Sequence, residues 1–294
     1  MKANVYSGFS SIDKITGGFE KGELIFILSR PMMGKTLFAL NIAYNAIINT
    51  ESKICFFNVD MCMSKKELYR RVNSIEGKKI LAVNKVPKII YPDNLFVEMP
   101  GQCTLREIDI RSRMIQKSFG LDLIIVDYLQ MVSMGKRMQG SARKLNEFVA
   151  GLKQLAEELK LPIIILTDTT HAPKKEDQGE HSRWAFVYND ILSPLKRRVR
   201  PLPRDIRGGK APLKYGDKFL SLYIHNTDHG VSLETLASGV DDCRRYRNLE
   251  VNIWGKNNAY LGQTKLKFHD LQMRFKESKR KKIELKTGSL FGQC

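Results

Sequence analysis

The sequence predicts an α/β fold in which a mostly parallel central sheet is flanked by helices on both faces. Three observations predict it. Short apolar runs alternate with segments of helical spacing between residues 23 and 169. One of those runs leads directly into a glycine-lysine loop, and a later one ends abruptly in an aspartate. Strands that alternate with helices need crossover connections, and crossovers place helices over both faces of a parallel sheet. With 294 residues, 43% of them hydrophobic, the chain can build one large core.

The elements follow in order. Residues 1–22 are polar and glycine-punctuated. ELIFILS (23–29) reads as a buried strand, and TLFALNIAYNAI from Thr36 carries apolar residues at helical spacing. ICFFNVD (54–60) is a second strand. The helix of residues 64–77 opens at Ser64 with Glu67 three residues on, the pattern of a capping box. Residues 78–94 hold breakers at Pro87 and Pro92. LFVEMP (95–100) is a third strand, and residues 104–120 form a helix closed by Gly120. LDLIIVDYLQMV (121–132) is a fourth strand, followed by a basic, flexible stretch. A long helix through 146–160 and a fifth strand, LPIIILTDT (161–169), complete the alternation. Residues 171–217 change character, with five prolines and many Lys and Arg, and read as loop-rich working surface. KFLSLYIHN (218–226), NLEVNIWGKN (248–257) and TKLKFHD (264–270) alternate as strands that extend the sheet. The charged segment from Arg274 onward reads as a mobile tail.

Composition excludes several classes. The five cysteines (Cys55, Cys62, Cys103, Cys243, Cys294) are scattered without a C-x-x-C pair, which argues against a disulfide framework or zinc site. No apolar run approaches the roughly 18 residues of a membrane span, and the N-terminus lacks a signal-peptide core. The expectation is a soluble, intracellular protein with no membrane partner. Lys and Arg number 49 against 31 Asp and Glu, a formal charge of +18. Such a surplus attracts polyanions, of which nucleic acid is the commonest in a cell.

Ser29-Arg30-Pro31-Met32-Met33-Gly34-Lys35-Thr36 has the spacing of a P-loop, with Ser29 where the pattern has Gly. The triplet Gly-Lys-Thr alone could be an accident, but here a strand precedes it and a helix follows. Backbone N–H groups of such a loop, and of the helix it opens, converge on one point and favour phosphate there. Lys35 would reach the β- and γ-phosphates, and the Thr36 hydroxyl would join a Mg2+ ion. Asp127 ends its strand at the same sheet edge, where a carboxylate can hold a metal-bound water.

These residues carry a resemblance. SRPMMGKT resembles the ARPSMGKT P-loop of DnaB-family replicative DNA helicases, and IIVDYLQMV resembles that family's I-DYLQL strand. GFSSIDKITGGFEKGELIFI is similar to the family's lead-in, FFNVDM to its F-S-L-E-M strand, and LKQLAEELKLPIIILTDTT to the stretch ending in S-Q-L-N. RPLPRDIRGG (200–209) is similar to R-P-x-x-S-D-L-R-x-S-G, and IWGKNN (253–258) to the strand that carries a K-x-R finger. The likeness runs in order from about residue 8 to 275. It implies a RecA-like ATPase/helicase domain over residues 1–275, a charged, flexible tail over 276–294, and no counterpart of the family's separate N-terminal domain.

The resemblance also implies roles. ATP and Mg2+ would be the cofactors, with Lys35, Thr36 and Asp127 at the phosphates and metal. The catalytic acid falls on Asp60, one methylene shorter than the family's Glu. The γ-phosphate-sensing Gln falls on Asp168, which when ionised cannot donate a hydrogen bond and repels phosphate; His171 lies nearby. The finger lysine falls on Lys256, and the finger arginine on Asn258; Arg244, Arg245 or Arg247 could supply the missing guanidinium. Arg207, Gly208 and Lys210 lie in the segment that lines the channel of a ring and contacts single-stranded DNA. A homo-hexamer, a primase or helicase loader as partner, and the cytoplasm of a bacterium or phage-infected cell complete the expectation. An intact cradle with three altered hydrolytic positions leaves two functions open: a replicative helicase motor, or a hydrolytically weakened ATP- and DNA-binding accessory ring. A recombination or clock-type relative fits less well, because it would not be expected to share DYLQ and RPLPRDIRGG.

Overall fold

The computed structural model describes residues 4–30, 33–59, 63–75, 92–100, 104–127, 129, 142–169, 200–206, 210–224, 248–269 and 274–277. Among them run strands β1 (Leu24–Ser29), β2 (Ile54–Asn58), β3 (Leu95–Glu98), β4 (Leu123–Asp127), β5 (Ile163–Asp168), β6 (Lys218–Ile224), β7 (Asn248–Trp254), β8 (Tyr260–His269) and β9 (Arg274–Glu277). Helices are α1 (Ser10–Thr16), α2 (Lys35–Thr50), α3 (Lys65–Ile75), α4 (Leu105–Phe119), α5 (Ala142–Leu159) and α6 (Ala211–Tyr215).

The strands form one sheet in the order β3-β2-β4-β5-β1-β6-β7-β8-β9. β1 to β6 are parallel, and β7, β8 and β9 extend the sheet in antiparallel fashion. Every residue of β1, β2 and β4 is buried, as expected of parallel strands covered on both faces. Side-chain alternation sorts two cores. Ile25, Ile27, Phe56, Ile164 and Leu166 meet α1, α2 and α3; Phe26, Leu28, Phe57, Ile124 and Ile165 meet α4, α5 and α6. Cys55 lies in the second core, where burial pushes its thiol far above the ordinary range and leaves it inert.

At the helix ends the capping hydroxyls act as the sequence predicts, whereas the Glu67 carboxylate of the expected capping box pairs instead with Arg70 at 2.6 Å and Arg71 at 3.1 Å. The Ser64 hydroxyl accepts from the Glu67 N–H at 3.1 Å, and the Thr104 hydroxyl from the Glu107 N–H at 3.2 Å. Gly120 closes α4 with φ of 82°, a left-handed value suited to glycine.

Four differences have physical causes. α1 lies in a stretch that reads as polar and glycine-rich; its core contacts come from Ile12 and the partly buried Ile15, with Phe9 just before it, too few to show a period. α5 begins at Ala142, inside the stretch read as flexible, where Arg143 pairs with Glu147 one turn on at 3.0 Å. α6 sits where a loop is expected, and its five residues are too short for periodicity. β9 corrects the tail: Arg274–Glu277 is a strand, so the sheet continues two residues past the expected boundary at 275. Its Phe275 side chain enters the first core, against Phe38 at 5.9 Å between ring centroids. The Phe275 N–H donates to Asn41 Oδ1 at 3.0 Å. Residues 278–294 lie outside the described residues.

Candidate active site at the carboxyl edge of the sheet

The parallel strands place three functional side chains at one edge. Ser29 ends β1 and pairs in register with Asp168, which ends β5; Asp127 ends β4 opposite Asn58 of β2. The loop after β1 returns as α2, whose first two residues are Lys35 and Thr36. Gly34 precedes them with φ of 80°, and a side chain there would project into open space. Glycine is therefore required by the backbone and not by packing. Backbone N–H groups at the first turn of a helix such as α2 favour an anion in front of them. Of the loop, Ser29, Arg30, Met33 and Gly34 are described, whereas Pro31 and Met32 lie outside the described residues.

The chemistry of the donors is specific. Thr36 Oγ1 donates to Asp127 Oδ2 at 2.7 Å, and Asp127 is 4% exposed. A hydroxyl and a carboxylate so placed could serve as two oxygen ligands for a hard divalent cation. The Lys35 ammonium donates to Asp168 Oδ1 at 2.6 Å, to Ser29 Oγ at 3.2 Å and to the Arg30 carbonyl at 3.2 Å. Asp60 and His171 lie outside the described residues. The described residues on either side of Asp60 are anchored: Val59 N–H donates to the Asp127 carbonyl at 2.6 Å, and Asn58 Nδ2 to the Met63 carbonyl at 2.7 Å.

A second group of contacts pins residues 200–206 to the same edge. Arg200 makes a bidentate pair with Glu250, Nη2 to Oε2 at 3.2 Å, and lies 5.5 Å from the Tyr223 ring centre. Ser221 Oγ donates to the Pro201 carbonyl at 2.6 Å. Ile206 pairs with Thr169, the residue after Asp168, as an isolated antiparallel bridge. Arg207 and Gly208 follow immediately, outside the described residues; Lys210, exposed, stands at the start of α6.

Residues 4–180, more than half of the chain, match the DnaB-like helicase C-terminal domain family. The chain belongs to that family. It is 28% identical to the replicative DNA helicase DnaB of Leifsonia xyli subsp. xyli over 183 residues, 58% of this chain and 40% of that protein. It is 30% identical to the DnaB of Geobacillus stearothermophilus over 181 residues, 56% of this chain and 39% of the relative. An alignment with the DnaB of Haemophilus influenzae reaches 92% of this chain and 54% of the relative at 25% identity. The chain thus spans about half, or less, of these relatives. Among solved structures, a chain described as an ATPase domain superposes with a TM-score of 0.69 at 21% identity, covering 94% of this chain and 92% of that one. A DnaB-like replicative helicase, described with its interactions with primase, superposes with a TM-score of 0.68 at 21% identity, covering 94% and 64%. These likenesses show the RecA-like ATPase fold.

Within the DnaB-like frame, the structure separates two sets of residues that the sequence put together. Lys35, Thr36, Asp127 and Asp168 meet at one edge. Lys256 does not join them. Trp254, at the end of β7, pairs with Phe219 near the start of β6, so the β7–β8 hairpin hangs from the amino edge of the parallel strands. Six residues of strand, about 20 Å, separate the two edges. Lys256 is 65% exposed there and 3.8 Å from Asp217. It cannot reach the P-loop of its own chain, so any finger role requires a second copy.

Asn258 has a local explanation. Asn257 and Asn258 have φ of 58° and 59°, and the Ala259 N–H donates to the Lys256 carbonyl at 3.3 Å. Two successive left-handed residues are what a two-residue hairpin turn of type I′ demands, and asparagine tolerates them. Asn258→Arg is therefore expected to destabilise the fold by about 1 kcal/mol, and Asn258→Gly to be close to neutral, in urea unfolding. Equal stability of both variants would remove the turn as the reason for this residue. Arg244, Arg245 and Arg247 lie outside the described residues.

Sequence reasoning missed Glu250 and the role of Ser29. Glu250 is fully buried in β7, and a lone acid inside NLEVNIW was the available signal, since a buried carboxylate needs a partner. Ser29, in place of the pattern's Gly, offers a hydroxyl to Lys35 that glycine lacks.

Proposed function

We propose that this chain is the ATP-dependent motor domain of a replicative DNA helicase, working as a homo-hexameric ring on single-stranded DNA. The observation that carries this reading is the joining of Lys35, Thr36 and Asp127 at the carboxyl edge of a sheet that belongs to the DnaB-like family. Lys35 would neutralise phosphate charge; Thr36 and Asp127 would hold Mg2+ and its water; Asp60 would orient the attacking water. Bound ATP and Mg2+ would supply the electrophilic phosphorus and its charge neutralisation. Lys256 would act on the site of a neighbouring copy, which the distance across the sheet favours. Arg207, Gly208 and Lys210 would follow the DNA backbone; Arg207 is next in sequence to Ile206, which bridges to Thr169, the residue after Asp168. A primase or a helicase loader is the partner that suits this reading, and the cytoplasm of a bacterium or an infected bacterial cell its setting. Among the described residues no helix is long and apolar enough to cross a membrane.

Steady-state ATP hydrolysis with and without single-stranded DNA tests the proposal. Turnover stimulated by DNA and lost in Asp127→Asn is expected. DNA affinity should fall steeply between low and physiological salt, because the +18 chain displaces counterions from phosphates. Arg207→Ala should weaken binding to all sequences alike. Tight ATP binding with no hydrolysis under any condition would sink the motor.

A further inference from the structure

We infer that Asp168 makes this site discriminate against the terminal phosphate of a nucleoside triphosphate, by holding the P-loop lysine as a competing internal anion. The inference rests on the reading of Lys35 as a phosphate ligand. A lysine ammonium has three N–H donors. In the structure all three have protein acceptors: the Asp168 carboxylate, the Ser29 hydroxyl and the Arg30 carbonyl. An incoming phosphate must replace or share one of them, and only Asp168 carries charge.

The carboxylate is held where it stands. Asp168 pairs in register with Ser29 at the end of β5, and the next residue's N–H donates to the Ser29 carbonyl at 3.0 Å. Lys35 and Asp168 are 9% and 13% exposed, so water screens the pair poorly. A phosphate oxygen on Nζ would lie within about 5 Å of the carboxylate, two charge-assisted bond lengths apart through one nitrogen. A diphosphate can share Lys35 with Asp168 at one contact. A triphosphate brings further negative charge to the same ammonium, because the P-loop lysine serves both the β- and γ-phosphates. A neutral amide at this position would impose no such penalty, whereas Asp168 does so through charge at a position that its strand fixes.

Binding of ADP and of ATPγS, measured by calorimetry at fixed Mg2+, tests this on wild type, Asp168→Asn and Ser29→Gly. Asp168→Asn should tighten ATPγS by on the order of tenfold more than it tightens ADP. Ser29→Gly removes a neutral acceptor and should leave the ratio of the two affinities unchanged. Should Asp168→Asn fold poorly, Asp168→Gln makes the same charge change and carries the test. Equal gains for the two nucleotides, or no gain, overturn the inference while leaving the nucleotide site standing. A wild type and variants that bind neither nucleotide overturn the nucleotide reading itself, and the role of Asp168 with it.

Discussion

Lys35→Ala is expected to abolish nucleotide binding and, separately, to lower the stability of the chain measured without nucleotide by about 3 kcal/mol. The first effect follows from loss of the ammonium that faces the phosphate cradle. The second follows from the ion pair: the mutation strips a cation, at 2.6 Å, from a carboxylate only 13% exposed. Removing one partner of a buried pair costs more than never having built it. The double variant Lys35→Ala/Asp168→Asn should therefore recover most of the stability and none of the binding. Chemical denaturation and calorimetry on both proteins separate the two effects. A stable single variant would mean that the pair is well hydrated in solution.

Arg200→Ala should have the next largest effect, a loss of about 2–3 kcal/mol together with weaker DNA binding. Glu250 is fully buried, and its carboxylate meets the Arg200 guanidinium at two points and Asn252 Nδ2 at 2.8 Å. Arg200 itself is about half exposed, which tempers the cost. If Arg200 positions the segment that leads to Arg207, its removal should weaken DNA binding without changing the slope of affinity against salt. If it touches phosphate directly, the slope should fall by about one contact. Glu250→Gln added to Arg200→Ala should restore stability, since it neutralises the stranded acid; failure to do so would place the instability elsewhere.

The parallel half of the fold is legible because its signals are strong and local. A run such as LIIVD, buried on both faces, can hardly be anything but a central strand, and Gly-Lys-Thr between strand and helix marks where a phosphate site is expected. Lys35, Thr36 and Asp127 follow from that logic. Asp168 stands out in the sequence as a departure, but its partner does not, because no spacing rule tells which strand end will lie beside Ser29. β9 and α1 escape for a related reason. Each has one or two core side chains in a polar segment, and each is held by contacts more than 200 residues away in sequence. Asn258 reads as a lost arginine in a one-dimensional comparison; the backbone angles show a turn that favours asparagine.

The staple between the two ends of the chain sets a timetable for folding. Glu277 accepts from Ser10 Oγ at 2.8 Å and from the Ser11 N–H, so the first helix is capped by the last described strand. A ribosome adding about 5–20 residues per second would deliver that cap tens of seconds after α1 emerges. Until then α1 and the face of α2 that carries Phe38 and Asn41 must wait, partly uncovered, although the P-loop and its strands have already been made. The carboxyl edge of the parallel strands can assemble early, but α1 is capped only when the last described strand has been made. Closing a loop that long costs only slightly more entropy than closing a short one, so the delay falls on rate and exposure to aggregation more than on final stability.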